Sequence, residues 1–128
     1  MTNAAAPIDP ITLEVMASAM RSVVDETFIA LMKSAYSTNI KERHDHSTAI
    51  CDRDGRLSLP IHLGSMTGLM KAILSKVALE EIEEGDIFVA NDPHVAGGTH
   101  LPDVNFAAPV FVKGDLLCFV CNIAHHAD

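Results

Sequence analysis

Apolar positions recur at four-residue spacing along the first part of the chain. Ile11, Val15, Ala19 and Val23 make one line, and Met16, Met20, Val24 and Phe28 run beside it. Two adjacent lines at this period describe a broad apolar stripe on a helix, and such a stripe is expected to face a core. Asp9 before Pro10 supplies the start, an aspartate cap followed by a proline at the first helical position, where the missing N–H costs nothing. The pattern predicts a helix that runs to about Tyr36. The following STNIKERHDHS (37–47) breaks the period and reads as polar and turn-like. STAICD (47–52) and RLSLPIHL (56–63) then read as two strands joined by the turn RDG. Pro60 inside the second run marks an edge position or the end of the strand.

A second helix is signalled by Ser65 as a cap. Leu69, Ile73 and Val77 form one face, widened by Met66 and Met70, and the helix is expected to run into EEIEEGD (80–86) and stop at Gly85. That places negative charge at a helix C-terminus, which the backbone dipole disfavours. DIFVAND (86–92) is a compact strand, PHVAGGTHLPD (93–103) an irregular loop, and VNFAAPVFV and LLCFVCNIA a strand pair around the turn KGD. The order favours an α+β fold over a doubly wound one: two helices, a hairpin and a three-stranded, mostly antiparallel segment. Residues 1–8 read as a flexible leader. The last strand runs directly into His125-His126-Ala127-Asp128. A cluster of ligand-type residues at that position suggests an incomplete piece of a larger fold.

Composition narrows the function classes. With 48% hydrophobic residues among 128, disorder is a poor reading. A formal charge of −8 argues against a nucleic-acid or anionic-membrane surface. No apolar run approaches the roughly 20 residues of a membrane span, and MTNAAAPIDP lacks the regions of a signal peptide. A soluble, cytoplasmic protein is expected. Three cysteines, Cys51, Cys118 and Cys121, cannot all pair within the chain and suit reduced thiols. Cys118 and Cys121 lack a partner pair for zinc and a helix start for redox chemistry, and on a strand they face opposite sides.

Seven histidines are many for this length, and six of them lie in short polar stretches. In GGTHLPD, His100 and Asp103 are three apart, and Pro102 opposes a helix. In a tight loop both side chains can turn to one point, as a metal ion asks of a His/carboxylate pair. Gly97 and Gly98 permit positive φ and expose backbone N–H groups to an anion. In HHAD, an extended chain puts His126 and Asp128 on one face with His125 away from them, whereas a helical turn makes His125 and Asp128 neighbours. Asp92 before Pro93 is an ordinary turn residue that could also contact substrate. Lys41 and Arg43 could bind an anion, though a solvated loop is the commoner outcome for such a run. The two His/Asp groups end consecutive extended segments, so antiparallel pairing could bring them together. A mixed His/carboxylate shell suits Mn²⁺, Zn²⁺ or Fe²⁺ more than Ca²⁺.

Five ordered motifs, DPITLEV, STNIKERHDHS, HLGSM, NDPHVAGGTHLPD and AHHAD, resemble the hydantoinase B/oxoprolinase family from Asp9 to Asp128. That family includes N-methylhydantoinase B subunits, the carboxy-terminal part of 5-oxoprolinase and the acetone carboxylase alpha subunit. The resemblance implies that residues 9–128 are the amino-terminal part of a hydantoinase B-like domain, truncated at its C-terminus. It implies the B-type component of an ATP-dependent cyclic-amide hydrolase acting on hydantoin or 5-oxoproline-like rings. Its hydantoinase A-like partner subunit would bind ATP. By motif, divalent-metal ligands fall on His100, Asp103 and His125, with His126 and Asp128 as possible secondary ligands. Two departures, His94 after NDP and Cys121-Asn122-Ile123 before AHHAD, touch the substrate assignment. The alternatives are an acetone carboxylase-like alpha component, or an inactive fragment retaining only a subunit interface.

Overall fold

A computed structural model describes residues 7–60 and 67–128. Helix α1 spans Pro10–Ser34, α2 spans Thr38–Lys41 and α3 spans Thr67–Leu74. The strands are β1 (His46–Asp52), β2 (Leu57–Pro60), β3 (Phe88–Ala90), β4 (Asp103–Val112) and β5 (Asp115–His125). They form one antiparallel five-stranded sheet in the order β2-β1-β5-β4-β3. The α+β expectation holds, and the hairpin and the three later strands share a single sheet. β2 lies at an edge and ends at Pro60, which meets both conditions a strand proline satisfies. β4 and β5 join through Lys113 and Gly114, both at positive φ, the geometry of a two-residue hairpin turn whose twist matches its strands.

One face of the sheet carries the core. Ala49, Cys51, Ala107, Phe119, Cys121 and Ile123 project from it and meet Leu69, Met70 and Ile73 of α3, together with Ile82 and Ala96. Leu69, Ile73 and the half-buried Val77 fall on one side, as the spacing predicts. The helix itself ends at Leu74, well before Gly85. The acidic tract instead forms a short 3₁₀ turn, Leu79–Glu81, in which Glu81 accepts a hydrogen bond from Ala78 N–H at 3.1 Å. Asp86 likewise accepts from Glu83 N–H at 2.8 Å. These two carboxylates therefore satisfy turn N–H groups, and the tract lies beyond the end of α3. The expected cap at Ser65, and Met66 and His62, lie outside the described residues.

The opposite face is covered by α1, and here the stripe reading needs correction. Val24 is 3% exposed, whereas Ile11 is 77% and Val15 64% exposed, and Val23 is exposed too. Between residues 10 and 19 only Ala17 is even half-buried. The covered positions are Met20, Val24, Phe28 and Leu31, which continue the second predicted line beyond its exposed first member Met16, while the whole line Ile11, Val15, Ala19 and Val23 is exposed. Thr48 Oγ donates to the Val24 carbonyl at 3.2 Å, and Phe28 stacks on His46 with ring centroids 4.0 Å apart. The C-terminal part of α1 thus fixes β1. STNIKERHDHS is more ordered than a turn: it contains α2, anchored by Ile40, and leads through His44 at positive φ into β1. No helix among the described residues is long and apolar enough to cross a membrane.

Candidate metal centre

The antiparallel pairing of β4 with β5 sets Asp103, the first residue of one, opposite His125, the last residue of the other. Directly opposed residues on neighbouring strands project to the same face, so these two side chains share a corner of the sheet. The connection from β3 returns over that corner, and Gly97 and Gly98 adopt φ of 84° and 88° to make the bend. A tighter constraint comes from Gly68 on α3. A Cβ built there would lie 2.8 Å from Gly97 N and 3.0 Å from the Ala96 carbonyl carbon, so only glycine lets helix and loop backbones approach this closely.

The bend carries His100 to the same corner. Ligand atoms of His100, Asp103 and His125 all lie within 4.8 Å of one another. His100 Nδ1 is 3.3 Å from Asp103 Oδ2, and the His100 and His125 rings meet edge to face at 4.7 Å. Asp103 Oδ2 also accepts from Thr99 N–H at 2.8 Å and from Thr99 Oγ at 3.3 Å. The side chain is 13% exposed. Burial opposes its ionisation, but the Thr99 N–H and the neighbouring His100 outweigh it and hold the carboxyl below its usual range. Asp103 is therefore an anion at neutral pH, aimed at two imidazoles. His100, whose side chain is 51% exposed, leaves the site open to solvent.

His125 is fixed from three directions. Its N–H donates to the Asp45 carbonyl at 3.0 Å, its ring Nδ1 lies 3.0 Å from Asn39 Nδ2, and the next residue's N–H donates to the Pro102 carbonyl at 2.9 Å. The extended alternative for HHAD is the one realised up to His125. His126 is exposed and lines a cleft of about 450 Å³ with Leu31, Tyr36, Phe106 and Asn122, on the α1 side of the sheet. Asp128 is exposed, and neither residue joins the three-residue cluster. Asp92 accepts from His94 N–H at 2.9 Å and shapes its own turn. Gly97 and Gly98 make the loop bend at positive φ, and the next N–H, that of Thr99, is taken by the Asp103 carboxylate. Lys41 and Arg43 are exposed and form no salt bridge among the described residues. Asn39 and Thr99 escaped the sequence reading. Thr99 stood inside the GGTHLPD motif, but no spacing rule links residue 39 to residue 125.

Two imidazoles and one carboxylate gathered within metal-binding reach fit a borderline divalent cation. Among the thiols, by contrast, Cys51 and Cys121 are buried with their sulfurs 3.9 Å apart, and Cys121 Sγ lies 3.7 Å from Met70 Sδ. They are core side chains. Cys118, on the other side of its strand, is half-buried, as the alternation predicts.

Residues 9–128 match the family described as hydantoinase B/oxoprolinase. The chain is 40% identical over 128 residues to an uncharacterised protein of Methanocaldococcus jannaschii, a match that takes in 94% of this chain and 23% of that protein. It is 37% identical over 126 residues to a 5-oxoprolinase of Dictyostelium discoideum, with 94% of this chain and 10% of that one covered. Among solved structures, the ATP-dependent caprolactamase from Pseudomonas jessenii superposes with a TM-score of 0.83 at 34% identity, over 96% of this chain and 22% of its own. The chain thus corresponds to about a tenth to a quarter of the length of these relatives.

Proposed function

The chain belongs to the hydantoinase B/oxoprolinase family, and on that premise we propose that it forms the metal-holding part of an ATP-dependent enzyme that opens cyclic amides. The convergence of His100, Asp103 and His125 carries this reading. The names of its relatives support the substrate class, because 5-oxoproline and caprolactam are both rings closed by an amide. Hydantoin belongs to the same chemical class. ATP would be bound by a hydantoinase A-like partner subunit, giving a hetero-oligomer in the cytoplasm. The ATP dependence of the caprolactamase supports a nucleotide in the reaction.

In this reading His100, Asp103 and His125 are the ligands of a divalent cation such as Mn²⁺, Zn²⁺ or Fe²⁺. A cation held there supplies Lewis acidity toward a carbonyl or phosphoryl oxygen, or toward a water. The residues around it prepare the site. Thr99 holds Asp103 through Oδ2 and so fixes the orientation of the carboxylate beside the two imidazoles. The sheet register keeps Asp103 and His125 in fixed opposition, a more rigid support than a loop offers. The exposure of His100 gives a small substrate access from solvent.

The test is the metal content of the purified chain and of His100→Ala and Asp103→Ala, alongside circular dichroism. One equivalent of metal in the parent and none in either variant, with the fold retained, is the expected result. Metal content unchanged in both variants sinks the site assignment. The substrate class is tested by ATP consumption with hydantoin, 5-oxoproline and caprolactam, using a protein that carries this chain together with a hydantoinase A-like subunit. ATP turnover stimulated by none of the three removes the cyclic-amide reading.

A further inference from the structure

Asn39 makes the one side-chain hydrogen bond to the His125 ring nitrogens among the described residues, Nδ2 to Nδ1 at 3.0 Å. It reaches across 86 positions in sequence to do so. Its place is fixed by a closed set of bonds. Asp45 N–H donates to the Asn39 carbonyl at 2.9 Å, and the Asp45 carbonyl accepts from His125 N–H at 3.0 Å. Ile40, the next residue, is 2% exposed and pins α2. The α2–β1 segment therefore grips the end of β5 by its backbone and by its ring.

We propose that Asn39 is a positioning residue that fixes the orientation of the His125 ring by engaging Nδ1 and biases its tautomer, and so governs how readily the free nitrogen accepts a cation. With Nδ1 engaged by Asn39, the nitrogen left over is Nε2. A neutral imidazole carries one proton, so Nε2 has a lone pair to offer only when Nδ1 is the protonated nitrogen. A carboxamide can serve either state. With its NH₂ toward Nδ1, as here, it favours the Nε2–H tautomer. Turned by 180°, it presents Oδ1 to Nδ1–H in nearly the same place and frees Nε2. A cation at Nε2 therefore requires the second arrangement. This inference deepens the metal reading above and rests on it for the nature of the ligand. The grip of Asn39 on the ring stands on the contact itself.

The experiment compares the chain with Asn39→Leu, which removes the hydrogen bond at similar volume, and Asn39→Asp, which can only accept. In metal-free protein, the ¹⁵N shifts of the His125 ring report the tautomer. The expected result is Nε2–H in the parent, Nδ1–H in Asn39→Asp, and a mixture in Asn39→Leu. Titration with Zn²⁺ and Mn²⁺ should show affinity weakened about 10–100-fold in Asn39→Leu, the range found for lost partners of ligating histidines, and retained or tightened in Asn39→Asp. A merely structural role would weaken both variants alike and leave the tautomers unchanged, and that overturns the proposal. If the ring shifts follow Asn39 but the parent chain binds neither ion, the metal reading falls and the positioning role stands. If the ions bind equally to all three proteins with identical ring shifts, the positioning role falls and the metal reading stands.

Discussion

Helices α1 and α3 present opposite relations between pattern and burial. The first is 25 residues long and apolar on a broad front, yet Val24 is its only buried residue. The second is only 8 residues long, and Leu69, Met70 and Ile73 within it are all buried. An apolar stripe states what a helix can bury, whereas the neighbouring surface decides what it does bury. α3 lies across the core face of the sheet, against Phe119 and Cys121, and closes over the loop that bears His100. α1 meets the sheet mainly along β1, through its C-terminal turns. The helix with fewer apolar residues does more to hold the site.

The comparison breaks first at Leu69. Truncation to Ala leaves a cavity between α3 and the sheet and should cost about 2–5 kcal/mol, read from the denaturant midpoint. A cost below about 1 kcal/mol would mean that α3 is not the keystone described here. Gly68→Ala comes next. A new Cβ against loop backbone cannot be accommodated by a side-chain rotation, and overpacking of this kind costs about 1–3 kcal/mol. The same change should loosen metal binding by displacing Gly97 and hence His100. Equal metal affinity in this variant would show that the loop is positioned by something other than α3.

A matched pair on α1 sharpens the contrast within one helix. Val24→Ala removes two buried methyl groups and should cost about 1–2 kcal/mol, whereas Val15→Ala on the exposed line should stay within about 0.5 kcal/mol. Comparable losses at both positions would mean that the exposed line is covered in solution. The smallest effect is expected at the N-cap. The Thr12 hydroxyl and N–H, with the Ile11 N–H, hold Asp9 below its usual carboxyl range. A carboxyl lowered in the folded state contributes stability above its unfolded value and loses it as pH falls through the folded one. Helical ellipticity should therefore show a small loss on acidification below the ordinary aspartate range, and Asp9→Ala should remove that component. An identical acid titration in the variant would exclude the cap as its source.

Much of the fold was legible locally. Asp9-Pro10 started a helix, Lys113-Gly114 turned a hairpin, and Pro60 ended an edge strand, because each of these acts through its own backbone. His100 and Asp103 were legible as candidates, since GGTHLPD combines bending residues with ligand types over seven positions. The extent of α3 was not. The apolar period continues past Leu74, yet the chain turns there, Lys76 and Val77 both donating to the Ile73 carbonyl, and Glu81 and Asp86 serve separate turns beyond it.

By itself, then, the sequence determined the α+β class, the order of the strands along the chain and the residue types available for chemistry. These follow from periodicity, caps and turns, which operate within a few residues. Only the tertiary structure decided which line of α1 is buried, which histidine of HHAD meets His100, and that Asn39 holds it. Sheet register settled the second of these by opposing Asp103 to His125. Register and long-range packing depend on surfaces that meet only after the chain has folded back, and no local pattern encodes a contact between residues 39 and 125.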